Sequence, residues 1–187
     1  MKIFLFLVLV LFGTYTYSQT SYVYIDQVGN NNQITVEQDG GGHLTGIALG
    51  AYLPSNQNDL KTGYNIGANP YLGSGIREFN NISIKQFGPG TQTTKIELPS
   101  ASSNLITVDQ SGVANHNFNI TSSNNSTNIN NTIHATQSGS AQKDFTLNLN
   151  GSNGATVTIQ QTNPTQANSG SMTIQCTTCG GYSYIRN

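Results

Sequence analysis

Two cysteines separated by two residues, in Cys176-Thr177-Thr178-Cys179, are the residues of this chain best spaced for chemistry. In a reducing compartment a C-x-x-C serves redox exchange or forms half of a zinc site. Zinc would need two further ligands, and only the distant His43, His116 and His134 could offer them. Outside the cell such a pair more often forms a local disulfide or an intermolecular link. Hydrolytic catalysis asks for paired carboxylates or for a nucleophile beside its base. The eight acids are scattered, and Asp26, Glu37 and Asp109 alternate onto the outward side of their segments, where they act as solvated gatekeepers. His116 and His134 stand in different segments without a partnered acid. The expectation is a non-enzymatic protein with no catalytic residue, metal site or cofactor.

The side chains that recur are amides. Val23-Tyr24-Ile25-Asp26-Gln27-Val28-Gly29 is followed eleven residues later by Ile34-Thr35-Val36-Glu37-Gln38-Asp39-Gly40. The same head returns as Ile82 to Gly88 around Gln86, as Ile106 to Gly112 around Gln110, and more weakly as Ile133 to Gly139 around Gln137. Val157-Thr158-Ile159-Gln160-Gln161 is a degenerate further copy. Gln38 and Gln86 lie 48 residues apart, and the later glutamines follow at 24, 27 and 24, a period typical of stacked repeats. A glutamine whose amide both donates and accepts can bond to its copies above and below when units stack at ~4.8 Å. Gln27, Gln38, Gln86, Gln110 and Gln137 are therefore the expected ladder. Gly29, Gly40, Gly88, Gly112 and Gly139, two residues later, supply the corners.

Period-two alternation reads each head as a strand with one apolar face. That face carries Val23, Ile25, Ile34, Val36, Ile82, Ile84, Ile106 and Val108. A second strand follows the head, with Thr94, Ile96 and Leu98 in one unit, Phe118 and Ile120 in the next, and Phe145, Leu147 and Leu149 in the third. These stand at offsets of 8, 10 and 12 from their glutamine, against 7 and 9 for Ile34 and Val36, so the middle units have a turn one residue longer. Hairpin-like strand-turn-strand units are expected, about five of them, stacked into an all-β solenoid with cross-β spacing.

The rest of the chain frames this array. One positive charge at Lys2, the apolar run Ile3 to Phe12 and small or polar residues to Ser18 form a signal peptide over 1–18, too short to stay as a membrane anchor. The first repeat then occupies 19–40, a Gly/Pro-containing insertion 41–79, four degenerate repeats 80–176, and a tail 177–187 that is either a last strand or a recognition segment. Only 8% of residues are charged and the net charge is −1, which excludes a basic nucleic-acid footprint. Low charge with many Asn and Gln suits amide stacking in place of a bulk apolar core.

These residues resemble the curlin repeat of curli-type functional amyloid subunits, in which Ser, Gln, Gly, Asn and a second Gln recur at fixed spacing. Ser21, Gln27, Gly29, Asn32 and Gln38 fill all five positions in the first unit. The unit at Gln110 keeps Gly112 and Asn115 but has Asn104 and Thr121 at the Ser and second Gln positions. The units at Gln86 and Gln137 begin with Asn80 and Asn131, and carry Glu97 and Asn148 in place of the second Gln. The resemblance implies a secreted, extracellular β-solenoid that polymerises end to end, with further copies of itself as partner and a nucleator or secretion channel as accessory partners. The first unit, bearing Tyr22, Val23 and Ile25 with no preceding cap, is the expected docking face. The alternative is a capped monomeric solenoid acting as an adhesin or as a surface- or ice-binding module. Threonines such as Thr156 and Thr158 suit that use, but the Thr positions do not repeat in register between units.

Overall fold

The computed structural model describes residues 20–27, 31–40, 42–49, 79–98, 101–122 and 126–187. Residues 1–18, expected to be a signal peptide, Gly29 and most of the segment 41–79, expected to be an insertion, lie outside them. The described chain is a β-solenoid of about five turns. Its strands are β1 (Tyr22–Gln27), β2 (Gln33–Gly40), β3 (Leu44–Leu49), β4 (Asn81–Gly88), β5 (Gln92–Leu98), β6 (Ala101–Ser102), β7 (Leu105–Gly112), β8 (His116–Thr121), β9 (Asn128–Ile129), β10 (Thr132–Gly139), β11 (Lys143–Ser152), β12 (Thr156–Gln161), β13 (Asn168–Cys176) and β14 (Gly181–Arg186).

Consecutive long strands enter opposite sheets. Sheet I runs β1-β3-β5-β8-β11-β13 and sheet II runs β2-β4-β7-β10-β12-β14, and every pairing is parallel. The units are thus not hairpins. A head and the strand after it face each other across the core through side chains, and each bonds through its backbone to the equivalent strand of the next turn. Short β6 and β9 pair along one corner.

In-register stacking turns sequence periodicity into rows of like side chains. In sheet II, Ile82, Ile106, Ile133 and Val157 align, as do Ile84, Val108, Ala135 and Ile159. Across the core, sheet I aligns Ile47, Ile96, Ile120, Leu147 and Met172. Phe118 stacks on Phe145 with ring centroids 6.2 Å apart. All of the sheet II residues in these rows are buried, and each fully buried Ile or Phe contributes roughly 1.5–3 kcal/mol. The core is a single seam between two sheets, so its depth comes from repetition.

Three expectations are corrected here. The 41–79 segment is not wholly an insertion, because β3 within it is a full sheet I strand with all six residues buried. Its turn from Gln38 is the short one, since Thr45, seven residues on, aligns with Thr94, eight residues after Gln86. Val23 and Ile25 are not core: they occupy the inward rows of Thr45 and Ile47, but as the first rung they remain 47% and 44% exposed. Ile34 and Val36, on the neighbouring edge strand, are partly buried against the core. Hydroxyls also align outside, where Thr35, Ser83, Thr107, Thr158 and Ser183 share one row interrupted by His134.

Candidate functional site

The head glutamines line up on the inner side of sheet II at the end of each strand, where alternation points them into the seam. Gln38 Nε2 donates to Gln86 Oε1 at 2.7 Å, Gln86 to Gln110 at 3.0 Å, Gln110 to Gln137 at 2.8 Å and Gln137 to Gln161 at 2.7 Å. The amide's other N–H crosses the seam. Gln38, Gln86, Gln110, Gln137 and Gln161 reach the carbonyls of Tyr22, Leu44, Thr93, Asn117 and Asp144, each on the sheet I strand that precedes them in the chain. Each glutamine therefore joins two rungs and two sheets, which satisfies amides that burial removes from bulk water. Thr45 and Thr94 add hydroxyl donors to Gln86 and Gln110.

Gln27 is not a member. Its strand belongs to sheet I, where its backbone aligns with Leu49 rather than with another ladder glutamine. The fifth position is Gln161, the last residue of the degenerate copy, and the 24-residue step from Gln137 was its signal. Two residues past the ladder, Gly40, Gly88, Gly112 and Gly139 all have positive φ, from 100° to 137°. A Cβ on Gly112 would lie 2.2 Å from the carbonyl oxygen of Gly139, so this corner needs glycine for space as well as for conformation.

A second ladder went unread in the sequence. Asn80 donates through both N and Nδ2 to Asn32 Oδ1, Asn104 does the same to Asn80, and Asn131 to Asn104, at 2.9–3.2 Å. Asn131 Oδ1 then accepts from the N–H of Ala155, which ends the series. The residue before each position of this row, Asn31, Phe79, Ser103, Asn130 or Gly154, is left-handed, with φ between 54° and 76°. These asparagines sit six residues before the ladder glutamines and repeat with the same 24 and 27 spacing. That shared spacing was the available signal.

The third polar row lies at the opposite corner. His43 Nδ1 accepts the N–H of Gln92 while Nε2 faces Asp39 O at 3.1 Å; His116 Nδ1 accepts the N–H of Lys143 while Nε2 faces Ser111 O at 3.1 Å. Both rings staple neighbouring rungs together. Burial lowers the His116 pKa from its ordinary value, and the charge of Lys143 adds to this against the opposing influences of the Ser111 carbonyl and Asp144. Lys143 is buried, its own pKa lowered by desolvation, and its Nζ donates to Asn163 O at 2.8 Å and to Gln166 O. His134 stands apart on the exposed face of sheet II.

Cys176 and Cys179 form a local disulfide. It closes the corner between β13 and β14, where the N–H of Cys179 also donates to Asn153 O at 2.9 Å. Among the described residues no group of three His, Cys, Asp or Glu side chains gathers to hold a metal. Glu37 pairs with Lys85 at 3.5 Å on the exposed surface, where such a pair contributes little.

The described stack ends in strand edges. At one end β1 and β2 are the outermost strands, and at the other β13 and β14. No family model, curated protein or solved structure matches this chain.

Proposed function

We propose that this chain is a secreted structural protein that self-assembles, end on end, into extracellular amyloid-like fibres of a matrix or surface appendage. The observation that carries the reading is the exposure of Val23 and Ile25 on an edge strand whose row is buried one rung deeper. An edge that no described strand covers, with apolar side chains in core register, is a template for another strand, and solenoids that stay monomeric cover theirs. The in-register amide ladders add support, because each is extendable by any chain that presents the same row. Export rests on the charged and apolar start of the sequence and is consistent with a disulfide at Cys176 and Cys179. The resemblance to curlin repeats points the same way.

The test is direct. Chain purified without residues 1–18 should form unbranched fibres with a ~4.8 Å meridional reflection. Protein that remains monomeric at high concentration for days counts against assembly. In that case the outward hydroxyl row of Thr35, Ser83, Thr107, Thr158 and Ser183 favours the surface-binding alternative, which thermal hysteresis without fibres would reveal.

A further inference from the structure

The described stack has six strands in each sheet, and its two ends are complementary. It starts in sheet I with β1 and finishes in sheet II with β14. Translating one copy along the axis brings β14 beside β2 of the next copy, and β13 beside its β1. There β14 of one copy faces β1 of the next across the seam, and the two make a composite rung. Register carried through the existing pairings places Tyr182 over Ile34, Tyr184 over Val36 and Arg186 over Gln38 of the next copy. In sheet I it places Met172 over Ile25.

The ladder chemistry fits this join. Every ladder amide donates toward the C-terminal end. Gln86 Oε1 receives Gln38 Nε2 and Thr45 Oγ1, whereas among the described residues no donor reaches Gln38 Oε1. At the other end the ladder row passes from Gln161 to Arg186. Arginine has five N–H donors and no acceptor. The row thus ends in a donor at one extremity and begins with an open acceptor at the other. Charge agrees, since exposed Glu37 and Asp39 flank Gln38 on the edge strand while exposed Arg186 ends β14. Two like ends would set acids against acids or Arg186 against Arg186.

We infer that fibre subunits join head to tail through a composite rung, β14 of one copy closing on β1 and β2 of the next, with Arg186 donating to Gln38 Oε1. This rests on the fibre reading above and fixes its polarity and register. Thr35 and Ser183 lie in one exposed outward row, at adjacent positions across the join, within disulfide reach for neighbouring strands. Fibres co-assembled from Thr35→Cys and Ser183→Cys chains and mildly oxidised should give cross-linked dimers, and either variant alone should not. Cross-linking of one variant alone at a comparable yield, or fibres without the mixed link, overturns the composite rung while leaving the fibre reading intact. Chains that never leave the monomer overturn both. On preformed seeds, Arg186→Leu should slow elongation about tenfold or more, as expected for a lost charge-assisted bond, while Arg186→Gln, which keeps a donor, should stay within about threefold of the parent. Arg186→Leu elongating like the parent overturns the Arg186 assignment.

Discussion

The N-terminal and C-terminal ends of this solenoid are built from one motif but finish it differently. At the N-terminal end the repeat is intact: Gln38 begins the amide ladder, Asn32 begins the asparagine ladder, and Gly40 begins the corner row. At the C-terminal end each row is replaced. Arg186 follows Gln161, Ala155 follows Asn131, and the Asn163-Pro164 backbone meets Gly139. The aromatic row passes from Phe145 to Gly170, which leaves room for Tyr184 to cross from sheet II and pack at 4.8 Å on Phe145. A Cβ at Gly170 would lie 2.7 Å from that tyrosine ring. One end therefore repeats the interior, and the other carries individually fitted side chains and a disulfide. The ladder amides all donate in one direction, and a row that begins in Gln and ends in Arg makes the two extremities of the particle chemically different.

The sharpest way to break this contrast is at the corner glycines. Gly112→Ala forces a Cβ into the next rung's backbone at a φ of 137° and is expected to cost roughly 3 kcal/mol or more, read as a fall in denaturation midpoint or loss of folded protein. Gly180→Ala, where nothing lies within 4 Å, should change little. Similar losses at both would mean that the interior and the C-terminal end are not packed differently. Next in size is the ladder. Gln110→Ala leaves Gln86 Nε2, Thr94 Oγ1 and Gln137 Oε1 buried without their ladder partner, at about 3 kcal/mol. Gln38→Ala removes an end member with one ladder neighbour and should cost about 1 kcal/mol. Equal costs from urea unfolding would sink the ladder as a cooperative interior element.

Much of this arrangement was legible because in-register stacking writes a three-dimensional row back into the sequence as a period. The steps of 24 and 27 from Gln86 to Gln110 and Gln137, and the alternating Ile and Val before them, have that origin. Gln27 was misassigned for a physical reason: alternation shows that a strand has an inner face, but not which of two facing sheets it joins. Strand β3 was missed because Leu44-Thr45-Gly46-Ile47-Ala48-Leu49 is buried on both faces and so lacks alternation. The asparagine ladder was hidden by propensity, since Asn before a strand reads as a turn residue. Nothing local distinguishes an asparagine that turns a chain from one that also bonds to its copy one rung away.

The polar corner tests the comparison through pH. His116 is held neutral between the Lys143 N–H and the Ser111 carbonyl, and its folded pKa lies below the ordinary 6.5. The unfolded chain therefore takes up this proton first as the pH falls. The stabilisation is complete above about pH 6.5 and is lost progressively below it. Denaturation midpoints should fall between pH 8 and pH 5.5, and His116→Gln, which places there the residue found at Gln92 in the neighbouring rung, should flatten part of that slope. A slope unchanged by the substitution would remove His116 as its source.

The smallest expected effect separates conformation from contact at a glycine. Gly154 occupies the left-handed position before Ala155, with a φ of 76° and no atom within 4 Å of an added Cβ. In the other rungs that position is filled by Asn31, Phe79, Ser103 and Asn130 with φ of 54° to 59°, so a side chain fits and only the backbone preference is at stake. Gly154→Ala should cost about 1 kcal/mol, and Gly154→Asn less, because asparagine enters the left-handed region more readily. Thermal midpoints of the two variants give the comparison. A loss at Gly154→Ala as large as at Gly112→Ala would show that the corner row is governed by backbone conformation alone, and that the close approach of Gly112 to Gly139 contributes nothing further.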